Sequence, residues 1–397
     1  MTAAVRRAVV YTILNSGGGR AAEAEVTLAD GTVGCGSAPV AIKPGAREAR
    51  RSSGLAVGEP VPAAIASEVA GLARTGATDQ AGVDGWLADR VDRLGADVTL
   101  AVSLAYARAA ARSAGVPLVR HFATLAGTHP AFPGLLAAAV SGGIHGGSGL
   151  PFQQIMLATA AGPPSRTVPA VMAVYRRVEQ ALFDAGQASG YSASSGVVPD
   201  VDGAAAVFDV VTRAIADAGV DRDIGIAIDV AAEHLHEDGG YRLGGRLVKA
   251  ADLARWITEL TDRYPVVMVE DPFVASDRDA WVRLNGKLRE RVTVLGDDLF
   301  ATNSRYLDPA LAGGVLLKLN QVGTLTATVY TAVRARESGM AYAVSHRSLE
   351  TEDTAVCDLA VALGANWIKV GGPRRGDRVT KYNQLLRLER DTAAWAQ

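Results

Sequence analysis

Six residues able to do acid, base or metal chemistry sit at the ends of short apolar runs. Asp229 follows IGIAI, Glu270 follows VVMV, Asp297 follows TVLG, Lys318 follows GVLL, His346 follows AYAVS and Lys369 follows NWI. Any one alone reads as a capped strand end or a surface ion pair. Together they predict a site, because strands of one sheet that end in register bring their last side chains to one mouth. Asp229, Glu270 and Asp297 on successive strands are oxygen ligands suited to a hard divalent cation, and Mg²⁺ is the cation predicted. Two lysines and a histidine stand across from them. Acids holding Mg²⁺ opposite a lysine suit proton abstraction beside a carboxylate: the metal stabilises the ene-diolate and a desolvated lysine takes the proton.

The elements that must position these residues follow from the hydrophobic pattern. AVVYTILNSGG and AEAEVTLADGTVGCG alternate like paired strands, residues 36 to 60 are rich in Gly, Pro, Arg and Ser as in a surface loop, and residues 61 to 126 turn helical. That predicts an N-terminal α+β capping domain over residues 1–128. After Pro130, β-rich runs alternate with amphipathic helices (IGIAIDV, ADLARWITELTDRY, PVVMVEDP, and onward to NWIKVGG). Strands buried on both faces and separated by helices predict a parallel sheet, and so many repeats predict a closed (β/α)8 TIM-type barrel over residues 129–397. The class is α/β, and no glycine-rich dinucleotide fingerprint follows any strand.

Composition narrows the function classes. With 49% hydrophobic and 21% charged residues and a net charge of −2, the chain has the balance of a globular protein without a basic field for nucleic acid. No stretch approaches the ~18 apolar residues of a membrane span, and the apolar run after the N-terminal Arg pair is too short for a signal peptide. Two cysteines, Cys35 and Cys357, make no disulfide framework or metal spacing, so a reducing, cytoplasmic setting is expected.

The motifs VEDPF, GDDLFATN, LLKLNQVGTL, VSHRSLETEDT and IKVGGPRRGDRVTKYNQLLRLE resemble those of the enolase family, nearly contiguously over residues 225 to 390. The similarity extends more weakly to NSGGGRAAEAEV, LGADVTLAVSLAYARAAA and SGGIHGG. The resemblance implies that Asp229, Glu270 and Asp297 bind Mg²⁺ and that Lys318 is the proton-abstracting base. It also implies that Lys369 holds the substrate carboxylate, that Arg347 and Ser348 take the phosphate, that His145 and His346 line the pocket, and that the protein is a homodimer.

Three departures from the enolase pattern bear on the reaction. LPFQQIML places Gln154 where an enolase has glutamate, and YSASSGVVPD places Ser194 where the general acid stands. PVAIKPG replaces the mobile serine-bearing loop, with Lys43 near the serine that binds a second metal; its ammonium is expected to stand in the charge space of that ion. Neither an amide nor a hydroxyl protonates a leaving hydroxide, and losing such an acid costs roughly 10²–10⁴ in rate.

This pattern, with metal, base and anion contacts kept and the acid side lost, is similar to that of the enolase-like carboxyphosphonoenolpyruvate synthases of phosphinothricin-type biosynthesis. Those enzymes join phosphonoformate, free or CMP-activated, to a phosphoglycerate or phosphoenolpyruvate unit. Two rivals stand beside this reading: a phosphopyruvate hydratase with another acid, for which Asp200 is the nearby candidate, and a non-catalytic enolase-like binding protein. EHLHE at 233–237 is read as a solvated turn rather than a metal cluster.

Overall fold

The computed structural model describes residues 4–143, 150–201, 203–220, 223–243 and 245–394. The chain opens with an antiparallel meander of β1 (Val5–Leu14), β2 (Arg20–Leu28) and β3 (Val33–Ala38). The helix Ala96–Ser113 packs on it and is buried along almost its whole length. Its contact with β3 is backbone against backbone. A Cβ at Gly34 would lie 2.1 Å from the Ala105 carbonyl oxygen, and one at Gly36 would lie 2.6 Å from the Ala105 nitrogen. The alternation of a strand puts Gly34 and Gly36 on one face, so both must lack side chains. This packing fixes where β3 ends, and hence where the loop that follows it starts.

The second part is the expected barrel. Its strands are β4 (Gly134–Ser141), β5 (Gln154–Thr159), β8 (Ile224–Asp229), β12 (Val266–Glu270), β13 (Thr293–Gly296), β14 (Gly314–Leu317), β15 (Ala341–Ser345) and β16 (Trp367–Lys369). They pair in the ring order β16-β15-β14-β13-β12-β8-β5-β4, and β16 closes on β4. A hairpin of β6 (Ala188–Tyr191) and β7 (Val197–Pro199) attaches to β4. A small sheet of β9 (His236–Glu237), β10 (Gly240–Leu243) and β11 (Arg246–Val248) follows β8.

The ring departs from the all-parallel expectation at one strand. β5 runs antiparallel to both β4 and β8, so the chain leaves β4 and enters β5 at the same end of the barrel. The consequence is functional: the first residue of β5, Gln154, stands level with Ser141 and Asp229 instead of at the opposite end.

The barrel interior is plugged. Leu136, Met156, Ala158, Ala227, Met268, Leu295, Leu316 and Ala343 form one apolar cluster, with Trp367 packed against it. Every strand of the ring contributes to it. Because successive side chains alternate across a strand, the residue two positions toward the mouth lies on the same inner face. That rule leads from Ala227 to Asp229, from Met268 to Glu270 and from Leu295 to Asp297. It leads likewise from Leu316 to Lys318, from Ala343 to Ser345 and from Trp367 to Lys369. On the reversed β5 it leads from Met156 back to Gln154.

Two substitutions test this arrangement. Gly36→Val is expected to prevent stable packing of β3 on its helix and to leave little folded protein. Met268→Ala is expected to cost ~2–5 kcal/mol in chemical denaturation, the usual cost of a core cavity at a fully buried methionine.

Candidate active site

The mouth above the plug is a polar cleft. Asp229, Asp297, Lys318, His346, Arg347, Ser348, Lys369, Gln154, Ser194 and Lys43 all line it. Glu270 lies beneath, in contact with Lys369, so eleven of the twelve residues singled out in the sequence converge here. The twelfth, His145, falls outside the described residues.

Charge is concentrated and desolvated. The Lys369 ammonium donates to Asp229 Oδ2 at 2.8 Å and to both oxygens of Glu270 at 2.9 and 2.7 Å. Lys318 forms an ion pair with Asp297 Oδ2. Burial works against both ammonium groups, but the facing carboxylates outweigh it and raise both lysines. Glu270 is pushed up to about 8, first by burial and then by the charge of Asp229.

Two further acids were not singled out in the sequence. Asp271, at φ 42°, turns its carboxylate to accept from the backbone N–H of Asp297 (2.8 Å) and of Asp298 (2.9 Å). It thereby fixes the end of the neighbouring strand. Asp271, Asp297 and Asp298 bring carboxylate oxygens within 4.8 Å of one another. Burial and Asp297 push Asp298 up to about 7. Asp271 rises well above the usual carboxylate range through burial and the charge of Asp298. The adjacent acids in VEDP and GDD were the available signal for both.

The donor set fits a divalent cation. Five carboxylates (Asp229, Glu270, Asp271, Asp297 and Asp298) crowd around two ammonium groups, and burial, followed by the charge of neighbouring carboxylates, makes three of the acids hold protons more tightly than usual. Oxygen-only donors of this kind suit Mg²⁺. Among the described residues, the acids whose oxygens lie close enough together to share a cation are Asp271, Asp297 and Asp298, whereas Asp229 and Glu270 are engaged by Lys369.

Anion contacts lie on the β14–β15 side. Arg347 Nη2 donates to both oxygens of Glu48 at 3.0 and 2.9 Å, with both side chains nearly fully buried. Its Nη1 is buried without a hydrogen-bond partner, a charged donor left available in the cleft wall. Arg378, wholly buried, donates to the carbonyls of Arg347 (2.9 Å), Ser348 (2.7 Å) and Ala193 (3.1 Å) and to His346 Nδ1. A guanidinium has no acceptor, so His346 Nδ1 accepts and the proton sits on Nε2. Burial and Arg378 hold this histidine well below its ordinary pKa, so it is a neutral donor.

The remaining arc is uncharged. Gln154 is buried, with its Oε1 unpartnered, and Gln153 Oε1 is likewise unpartnered. Ser194 lies in a loop pinned on several sides: Gly372 N–H donates to its carbonyl (2.8 Å), Tyr175 to the Ser195 carbonyl (2.6 Å), and Ser141 and Ser192 share a hydroxyl contact of 2.8 Å. Asp200 is exposed and lies outside the cleft lining. Among the described residues, no acid from β4, β5 or the 192–196 loop lines the cleft. One residue read as part of a solvated turn does line it: His234.

The family model described as "Enolase, C-terminal TIM barrel domain" matches residues 131–397, and that described as "Enolase, N-terminal domain" matches residues 5–122.

Two outcomes follow from this geometry. Glu48→Ala strands the Arg347 charge in a buried setting and should cost ~3–5 kcal/mol of stability in denaturant titration. Glu270, with its raised pKa, keeps its proton up to about pH 8, and a cation must displace that proton. Apparent Mg²⁺ affinity should therefore rise with pH through about 8, with proton release detectable by calorimetry in buffers of different ionisation enthalpy.

Proposed function

The chain belongs to the enolase family, and from that premise we propose that it is a Mg²⁺-dependent enzyme of altered reaction: it joins phosphonoformate, free or CMP-activated, to an enolpyruvate unit derived from phosphoenolpyruvate or 2-phosphoglycerate, as in phosphonate natural-product biosynthesis. The observation that carries this reading is the uncharged arc. Gln154 stands in register with Asp229, Ser194 stands in the pinned loop, and no carboxylate lines the cleft from that arc among the described residues. Expulsion of hydroxide from a three-carbon acid needs a proton donor in that place.

The other arc keeps what binds and deprotonates. Lys318 is assigned as the base, placed by strand alternation one layer above the plug; its ion pair with Asp297 must open before the amine can accept a proton, as it would if a cation took that carboxylate. Lys369 fixes Asp229 and Glu270 and presents positive charge to the substrate carboxylate. Arg347, with its free Nη1, and Ser348 hold the phosphorus group of the three-carbon substrate. His346 offers its Nε2–H, oriented by Arg378. Asp229, Glu270 and Asp297 would hold Mg²⁺, which would supply Lewis-acid stabilisation of negative charge on the substrate carboxylate.

Exchanging two carboxylic acids for an amide and a hydroxyl also removes negative charge that would repel an anionic second substrate. With the activated donor and phosphoenolpyruvate, the phosphorus–oxygen bonds to the nucleotide and to the acceptor's own phosphoryl group break, a bond from the donor's phosphorus to the enol oxygen forms, one water is taken up, and CMP and inorganic phosphate depart; with free phosphonoformate, inorganic phosphate alone departs. That step needs no acid at carbon 3 of the acceptor.

Phosphorus NMR on protein with Mg²⁺, phosphoenolpyruvate and either form of phosphonoformate is expected to show a new phosphonate ester resonance. Dehydration of 2-phosphoglycerate by the native chain should be slower than by an acid-bearing enolase by roughly 10²–10⁴. Gln154→Glu/Ser194→Glu should raise it. Vigorous dehydration by the native chain would contradict the proposal.

A further inference from the structure

EHLHE follows the strand that ends in Asp229, and its first histidine has a place in the cleft. The chain leaves β8, takes a left-handed step at Ala231 (φ 47°) and enters a short turn over Ala232–His234. Above it lies Lys43, whose Nζ is 3.2 Å from His234 Nδ1. The lysine is carried there by a loop fastened on the far side of the mouth. Val40 and Leu349 exchange two backbone hydrogen bonds (2.7 and 3.0 Å), Asn320 donates to the Pro39 carbonyl (3.1 Å), and Ala49 N–H donates to the Gln321 carbonyl (2.9 Å).

The chemistry of this contact fixes what it offers. An ammonium has donors only, so His234 Nδ1 accepts and its proton sits on Nε2. Burial and the Lys43 charge both lower the pKa of His234, which leaves a neutral imidazole. The pair therefore presents one positive charge and donors alone. Gln153 lines the same cleft, with its backbone N–H bonded to the Asp229 carbonyl at 2.8 Å, and Gln153 and Gln154 bring two buried, unpartnered amide oxygens. An amide turned about its last torsion presents N–H in place of oxygen. The acids facing His234 are Asp229, which is held by Lys369, and Glu233, which accepts from Ala275 N–H at 3.1 Å.

Position in the ring separates this group from the other anion contacts. β8 lies four strands from β15 in a ring of eight, and β5 lies four strands from β14. His234 and the two glutamines thus stand across the mouth from Lys318 and Arg347.

We propose that Lys43, His234, Gln153 and Gln154 form a second anion subsite that holds the oxyanion end of the donor substrate, a phosphonate or carboxylate group, opposite the three-carbon acceptor at Arg347. The inference rests on the two-substrate reading above and assigns its second substrate a place. Lys43 and His234 act here as binding residues, and the glutamines supply donors in an arc freed of negative charge.

Calorimetric titration of the full chain tests it. Phosphoenolpyruvate is titrated first in the presence of Mg²⁺; phosphonoformate is then titrated into the saturated protein. Lys43→Met and His234→Leu should each weaken phosphonoformate binding about tenfold or more, as expected for a lost hydrogen bond to a charged group. Lys43→Arg should retain most of it, and phosphoenolpyruvate affinity should change far less than phosphonoformate affinity in every variant. Phosphoenolpyruvate binding with phosphonoformate affinity equal in the native chain and the variants would overturn the subsite alone. Parallel loss of both ligands would also overturn it, by placing the pair at the acceptor. Absence of Mg²⁺-dependent phosphoenolpyruvate binding in the native chain would overturn the two-substrate reading and the subsite with it.

Discussion

A closed barrel whose side chains alternate in and out can fill its interior in only one way, and the site is the topmost layer of that filling. The apolar plug occupies the axis, so the next inward position on each strand opens onto the mouth and is shielded from below by hydrocarbon. Charges placed there lose water on one side and must find partners. Lys369 bridges Asp229 and Glu270, Lys318 meets Asp297, and Asp271 binds backbone N–H groups of the next strand end. Removing one member leaves another charge buried and unpaired, which is a large penalty. The same crowding leaves a shortage of positive charge that a hard cation satisfies.

The mouth divides by strand into two arcs of different character. From β8 through β16 the strand ends carry acids, lysines, and on β15 a serine and a histidine followed by an arginine backed by Glu48. On β5 and in the loop of residues 192 to 196 they carry amides and hydroxyls. Arg378 joins the two arcs, binding the carbonyls of Arg347 and Ser348 and that of Ala193 in the serine loop at once. Close approach is possible because Gly371 and Gly372 have no Cβ; one at Gly372 would lie 2.5 Å from the Ser195 carbonyl oxygen. The serine loop is therefore a built wall, rigidly held without its acid, and not a segment fallen away from the site.

The strand-end chemistry was legible because period-two patterning and burial act locally: VVMVE and GVLLK show apolar runs that stop on ionisable groups. The direction of β5 was not legible, since a short apolar run has no polarity of its own. Asp271 and Asp298 were hidden by standing beside acids already chosen, and their tasks depend on a neighbouring strand. His234 was missed because its partner, Lys43, is 191 residues away. Glu48 was missed for the same reason: only the folded loop brings it to Arg347.

The claim most open to a direct reading is that the site keeps its base and lacks its acid. Proton NMR of 2-phosphoglycerate in D₂O with Mg²⁺ separates the two functions, because loss of the carbon-2 proton reports the base alone and phosphoenolpyruvate reports the acid as well. The account predicts Mg²⁺-dependent deuterium incorporation at carbon 2, abolished by Lys318→Ala, with scarcely any phosphoenolpyruvate formed. Dehydration keeping pace with exchange would contradict it, and so would bound substrate that never exchanges.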